Sequence, residues 1–186
     1  MDTNGSIKTS HWFEYFPDHY MWSQAMALAF GLAAWRATEF GDVDRAGRRL
    51  KHHLGDDAAW YREWRAIAEE AEGRANEAES RGRRVTAGDA FFRAATYYSL
   101  AERFLSHINP DKLDTYRRSI ACFGNGAAIA MPRLEKAEVP YEDTYLSAYF
   151  LPPEAEPLIP RLSSSTASTS ARKLLGTSPV SSPAVV

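Results

Sequence analysis

Between Ala58 and Ser80, the residues Trp60, Trp64, Ile67, Ala68, Ala71, Ala75 and Ala78 fall along one stripe at helical spacing. Arg62, Arg65, Glu69, Glu72, Glu77 and Glu79 fall mostly off it. This pattern predicts a long helix with one buried face. Large aromatics at its start and alanines at its end predict a close approach to a neighbour at the far end. Gly55-Asp56-Asp57 precedes it, and an aspartate there accepts free amide hydrogens and suits the helix dipole.

The chain supplies other helices to cover that face. Residues from about Tyr20 to Ala37 are apolar on almost every side (Met26, Leu28, Phe30, Leu32, Trp35), which predicts a central helix. Gly41 and Asp42 interrupt it, and Asp42 is expected to cap a short basic helix running to about Leu54. After the turn Arg81-Gly82-Arg83-Arg84, Thr86 and Asp89 form a capping-box-like pair for a helix to about His107. Its expected buried stripe is Phe91, Ala94, Ala95, Tyr98, Ala101 and Leu105. Asn109-Pro110 ends it, because the residue before proline avoids helical angles. A last helix is predicted over Lys112 to Ala130. Tyr116, Ile120, Phe123, Ala127 and Ile129 are available for packing, and Gly124-Asn125-Gly126 weakens its end.

At Pro132 the pattern changes. Leu134 to Pro140 and Thr144 to Leu151 read as two short strands around a turn at Tyr141-Glu142-Asp143. Ser163 to Ala171 is purely Ser, Thr and Ala, and the remainder to Val186 is rich in Ser and Pro. That composition is expected to be disordered. The predicted fold is mainly α. It comprises a helical bundle over 1–131, a β-hairpin over 132–160 and a disordered tail over 161–186. An isolated two-stranded hairpin is marginal in water and wants a sheet to join.

Composition narrows the function classes. Hydrophobic residues make up 45% and charged residues 25%, as in an ordinary globular domain. A net charge of −2 and an isoelectric point of about 6.2 predict neither nucleic acid nor membrane as partner. Cys122 is the only cysteine, so no intrachain disulfide forms, and a reducing, cytoplasmic compartment is expected. The N-terminal stretch lacks a basic segment followed by an apolar run. The longest apolar stretch, Ala25 to Trp35, is too short for a bilayer.

Three segments carry a resemblance: Trp60-Tyr-Arg-Glu-Trp64, then Ala90-Phe-Phe-Arg-Ala-Ala-Thr-Tyr-Tyr-Ser-Leu-Ala-Glu102, then Val139-Pro-Tyr-Glu-Asp-Thr-Tyr-Leu-Ser-Ala-Tyr-Phe-Leu-Pro-Pro153. In this order the chain resembles the N-terminal region of α/β-hydrolases that carry a helical cap ahead of the catalytic domain. This group includes 2,6-dihydropseudooxynicotine hydrolase-like and FrsA-like esterases and fungal polyketide-shortening hydrolases. The resemblance covers roughly residues 12 to 160. The third segment resembles the opening hairpin of the hydrolase sheet, with Asp143 where the family usually has a turn glycine. It implies hydrolysis of an ester or carbon–carbon bond in a small-molecule substrate by a Ser-His-Asp mechanism, with no cofactor. No Gly-x-Ser-x-Gly motif occurs in the chain, and no histidine follows His107. No catalytic residue is therefore carried over, the chain is expected to be inactive, and the substrate-binding residues are unknown.

Beyond about Pro160 the resemblance stops. Thr, Ala, Pro and most Ser codons share C at the second position. A shift of frame turns these into codons ending in C, which include Val, Leu, Phe, Gly and Asp. Two readings of the tail follow: an out-of-frame translation of a missing strand and glycine loop, from a frameshift or a mis-spliced gene, or a genuine disordered segment.

Other constellations favour structural readings. His52 and His53 with Asp56 and Asp57 suggest a metal site, but adjacent helical residues point about 100° apart, so an exposed capped helix end is expected and no metal. Arg45, Arg48, Arg49 and Lys51 read as a solvated face. Tyr97 and Tyr98 with Phe91 and Phe92 could line a pocket, yet packing between helices is the favoured reading. Cys122 reads as a small buried hydrophobe, and Gly124-x-Gly126 lacks the strand a dinucleotide loop needs. Two alternatives to the hydrolase remain: a helical protein-interaction module, against which no repeat near 34 residues is found, and a helical regulator, against which the hairpin stands. A homodimer is compatible with each.

Overall fold

A computed structural model describes residues 13–17 and 19–153. The chain divides into two compact units, Met1–Leu134 and Glu135–Val186. The tail from 161 onward lies outside the described residues.

The first unit contains α1 (Tyr20–Gly31), a 3-10 turn (Leu32–Trp35), α2 (Phe40–Leu50), α3 (Asp57–Ser80), α4 (Arg84–Glu102) and α5 (Pro110–Ala130). The stripe predicted for α3 is buried throughout, from Trp60 to Ala78. Asp56 caps this helix by accepting from the amides of Ala58 and Ala59 at 3.0 and 3.1 Å. The core is an aromatic run. Phe16, Trp22, Trp60, Trp64 and Tyr97 succeed one another at centroid separations of 5.0 to 5.9 Å, which is the range of favourable ring–ring packing. Among the described residues, no helix is long and apolar enough to cross a membrane.

Several expectations are corrected. The first helix ends at Gly31, and it is not surrounded by protein: Leu28 and Trp35 are exposed, while Trp22, Ser23, Ala25, Met26 and Ala29 form its buried face. Asp42 does not cap α2. It lies within the first turn, after the N-cap Glu39, and the helix ends at Leu50. Thr86 caps nothing, because α4 begins two residues earlier, and Asp89 instead pairs with Arg36. That helix ends at Glu102. Asn109 caps α5 through the amide of Asp111, with Pro110 in the first turn, where its missing N–H has no cost. The buried face of α5 is Thr115, Ser119, Cys122, Gly126 and Ala127, so Tyr116 and Ile120 are turned outward. Short polar side chains occupy buried positions because each is paired: Ser119 donates to the carbonyl of Ala95 at 2.8 Å.

The α4–α5 contact depends on absent side chains. A Cβ on Gly126 would sit 3.0 Å from the Phe92 ring and 3.3 Å from the carbonyl oxygen of Gly88, whereas Gly73, exposed within α3, has open space. Replacing a helical glycine by alanine gains about 1 kcal/mol in propensity. Gly73→Ala should therefore raise the unfolding free energy by about 0.5–1 kcal/mol. In Gly126→Ala the crowding offsets that gain, so the change should be zero or negative. Urea titration of both variants checks the difference in sign.

The second unit contains the antiparallel hairpin β1 (Glu135–Tyr141) and β2 (Thr144–Phe150). The turn is Glu142-Asp143, and the positive φ falls on Glu142 (49°), not on Asp143. Glycine fills that first turn position in type II′ hairpins.

Candidate functional site

Two polar clusters lie within the bundle. In the first, Asp42 accepts from the Tyr97 hydroxyl at 3.1 Å, from Arg45 at 3.1 Å and from Arg74 at 3.3 Å. The Tyr97 oxygen itself accepts from the amide of Glu39 at 2.8 Å. Burial, and then the charge of Asp42, pushes the Tyr97 hydroxyl well above the usual tyrosine range. In the second, the Tyr98 hydroxyl donates to Glu72 at 2.6 Å. Arg118 bridges Glu69 and Glu72 at 3.0 and 3.3 Å and lies over the Tyr98 ring. Arg65 extends this network to Tyr61, whose hydroxyl meets Thr115. Burial and Glu72 raise the Tyr98 hydroxyl as well.

These clusters hold helices together rather than prepare a nucleophile. Cys122 is buried beside Glu72, and burial first, then that carboxylate, pushes its thiol up to about 12. A thiol so raised is almost entirely protonated at neutral pH, and the thiolate is the reactive form. Among the described residues, no serine or cysteine hydrogen-bonds to a histidine; His19 accepts from the amide of Trp22 and caps α1.

His52 and His53 are exposed, Asp56 caps α3, and Asp57 accepts from the Trp22 indole at 3.1 Å. No group of three metal-ligating side chains occurs among the described residues. Arg45 and Arg49 pair with Glu70 and Glu63, Arg48 with Asp44, and Lys51 lies over the Tyr15 ring. Phe91, Tyr97 and Tyr98 are core residues, and Phe92 packs against Phe123 at 5.6 Å. Gly124 faces open space, and Gly126 belongs to the helix crossing. Sequence reasoning missed Asp42 as the centre of a cluster, since its partners come from two other helices.

The hairpin is the feature with unmet demands. Alternation places Glu135, Ala137, Val139, Tyr141, Thr144, Leu146, Ala148 and Phe150 on one, mainly apolar face, and Lys136, Glu138, Pro140, Tyr145, Ser147 and Tyr149 on the other. Val139, Tyr141, Leu146 and Phe150 are about half exposed. With a two-residue loop, the pair Tyr141–Thr144 is hydrogen-bonded, so alternate residues direct their backbone groups outward. On β1 these are Lys136, Glu138 and Pro140; on β2 they are Tyr145, Ser147 and Tyr149. Proline cannot donate, so the β1 edge suits an outermost strand. The β2 edge carries neither proline nor charge. The arrangement therefore suits a sheet that continues past β2, with a layer over the apolar face.

No family model matches the chain. Individual proteins do. Alpha/beta hydrolase gkaG of Penicillium citrinum is 29% identical over 141 residues, 75% of this chain and 33% of that protein. The 20-hydroxy-prefusarin hydrolase FUS2 of Gibberella moniliformis is 33% identical over 115 residues, 60% of this chain and 27% of that protein. Hydrolase acrC of Aspergillus aculeatus is 38% identical over 93 residues, 48% of this chain and 22% of that protein. The chain spans about a third or less of the length of these curated relatives. The chain is therefore similar in sequence to part of several fungal α/β-hydrolases.

Proposed function

We propose that this chain is the helical cap and opening hairpin of an α/β-fold hydrolase, and that it does not itself catalyse. The observation that carries this reading is the hairpin, which has one edge closed by Pro140, one edge free of proline and charge, and an apolar face half exposed. The identity to fungal hydrolases over three quarters of the chain supports it. The whole enzyme would cleave an ester or carbon–carbon bond in a small molecule by a serine nucleophile, a histidine base and an acid, in a reducing compartment. Residues 1–131 form the cap and 132–160 begin the catalytic sheet. The Ser- and Pro-rich tail stands where that sheet would continue, as an out-of-frame reading of it.

Sequencing the transcript from the codon of Leu151 onward tests this. An alternative frame should restore an apolar strand, a glycine loop, a Gly-x-Ser-x-Gly motif and a later histidine. Absence of these in every frame sinks the out-of-frame reading. The chain should also form no adduct with a fluorophosphonate probe, which labels activated serines. A single labelled serine would contradict its inactivity.

A further inference from the structure

We infer that α2 is a latch, a helix held on α3 and α4 mainly by ion pairs, which opens as a unit over residues 39–55 while α3, α4 and α5 stay folded. This rests on the packing of the bundle and not on the hydrolase reading.

Little apolar surface holds the helix down. An isolated helix of 11 residues is marginal in water, so α2 depends on its docking. Its buried face is Val43, Ala46, Gly47 and Leu50, and two of these carry one methyl group or none. Phe40 meets Phe30 at 5.6 Å but stays 64% exposed. By contrast, α3 and α4 bury Trp60, Trp64, Ile67, Phe91, Tyr97 and Tyr98.

Charged groups supply the rest. Arg45 pairs with Glu70 at 2.7 Å, Arg49 with Glu63 at 3.2 Å, Glu39 with Arg93 at 3.0 Å and Asp42 with Arg74 at 3.3 Å. Arg45, Arg49 and their two partners keep 26–49% of their side-chain surface in water, so each of these pairs is weak and screened by salt. The seam is also incompletely satisfied. Arg93 Nε is buried there without a hydrogen-bond partner, which favours an open state that admits water.

Both ends of the segment are anchored. Thr38 donates to the Ala29 carbonyl at 2.6 Å and pins the preceding chain to α1. Asp56 caps α3 after it, and Gly55, at φ 81°, turns the chain between the two helices. The segment can therefore swing without unwinding either neighbour. Opening frees the Tyr97 hydroxyl and the Arg74 guanidinium from Asp42, and the Arg93 guanidinium from Glu39. The latch thus controls access to a set of donors on α3 and α4.

Hydrogen exchange on the intact chain, read residue by residue in low denaturant, tests this. Amides 43–50 should open about a hundredfold more readily than the buried amides of α3 and α4. Raising NaCl from about 10 mM to about 1 M should widen that gap several-fold. Arg45→Gln combined with Arg49→Gln removes two exposed pairs. It should raise α2 opening about three- to tenfold and leave α5 unchanged. Gly47→Ala should raise it about tenfold, although alanine favours helix over glycine. A Cβ there overlaps the Tyr15 ring, which Phe16 and Phe30 hem in at 5.0 and 5.6 Å.

Equal protection in α2, α3 and α4 overturns the inference, as does an α2 opening that ignores salt and both variants. A Gly47→Ala chain whose helices all lose protection together overturns it too, since α2 then belongs to one cooperative core.

Discussion

Replacing Trp60 by alanine should lower the unfolding free energy by about 3–5 kcal/mol, the cost of removing a large aromatic from a packed interior. Trp60 has no exposed surface and lies between Trp22, Trp64 and Phe104, with ring centroids 5.0, 5.8 and 4.9 Å away. These neighbours are held on α1, on α3 itself and in the turn after α4, so they cannot collapse into the vacated space together. The substitution also strips the Leu100 carbonyl of the indole N–H that donates to it at 2.7 Å. Total stabilities of small proteins are about 5–15 kcal/mol, so the loss removes a large part of the whole. Urea unfolding followed by far-UV circular dichroism measures it.

A comparison separates ring from hydrogen bond. Trp64 is equally buried, but its indole nitrogen has no partner. Trp60→Phe should therefore cost about 1 kcal/mol more than Trp64→Phe. A loss below about 1 kcal/mol for Trp60→Ala would place the residue outside the cooperative core.

The helices that were legible in the sequence are those whose burial comes from one uninterrupted stripe. In α3, Trp60 to Ala78 repeats at helical spacing, and every member is buried. The hairpin was legible from the change of period at Pro132, and its strands shift by about one residue at the ends. The errors share a cause: local patterns do not report what a neighbour supplies. Asp42 has the chemistry of a cap but meets Tyr97 and Arg74, which are distant in the chain. The capping-box spacing of Thr86 and Asp89 yields to the ion pair that Asp89 makes with Arg36. In α5, Tyr116 and Ile120 look like core residues, yet the buried face runs through Thr115, Ser119 and Cys122, because Ser99, Ala95 and Tyr61 offer these polar groups partners. Hydrophobicity alone cannot anticipate that rotation. The edge chemistry of the hairpin was equally hidden, since which backbone groups face outward depends on register, and register on the two-residue turn.

The clusters around Asp42 and Glu72 lead to the second large effect, a loss of stability at alkaline pH. Cys122, Tyr97 and Tyr98 are buried, and each is held protonated in the folded chain by burial and a neighbouring carboxylate. In the unfolded chain the thiol titrates near about 8.5 and the phenols near about 10. Between those values and the raised folded ones, the unfolded state has released protons that the folded state still holds. Stability must then fall as pH rises, at about 1.4 kcal/mol per pH unit for each such group.

The contribution of Cys122 is fully present below about pH 8.5 and declines toward the folded value of about 12. Those of the two tyrosines start to decline near pH 10. By about pH 11 all three groups contribute to the loss, the thiol having begun first. Urea unfolding at a series of pH values should show a slope that begins with the thiol and steepens as the phenols join. Cys122→Ala should remove the first part of that slope. Tyr97→Phe and Tyr98→Phe should lower stability at neutral pH, because each deletes a hydrogen bond to a carboxylate, yet flatten the alkaline decline. If the decline is as steep in all three variants as in the parent, these groups titrate alike in both states, and the clusters are open to water in solution.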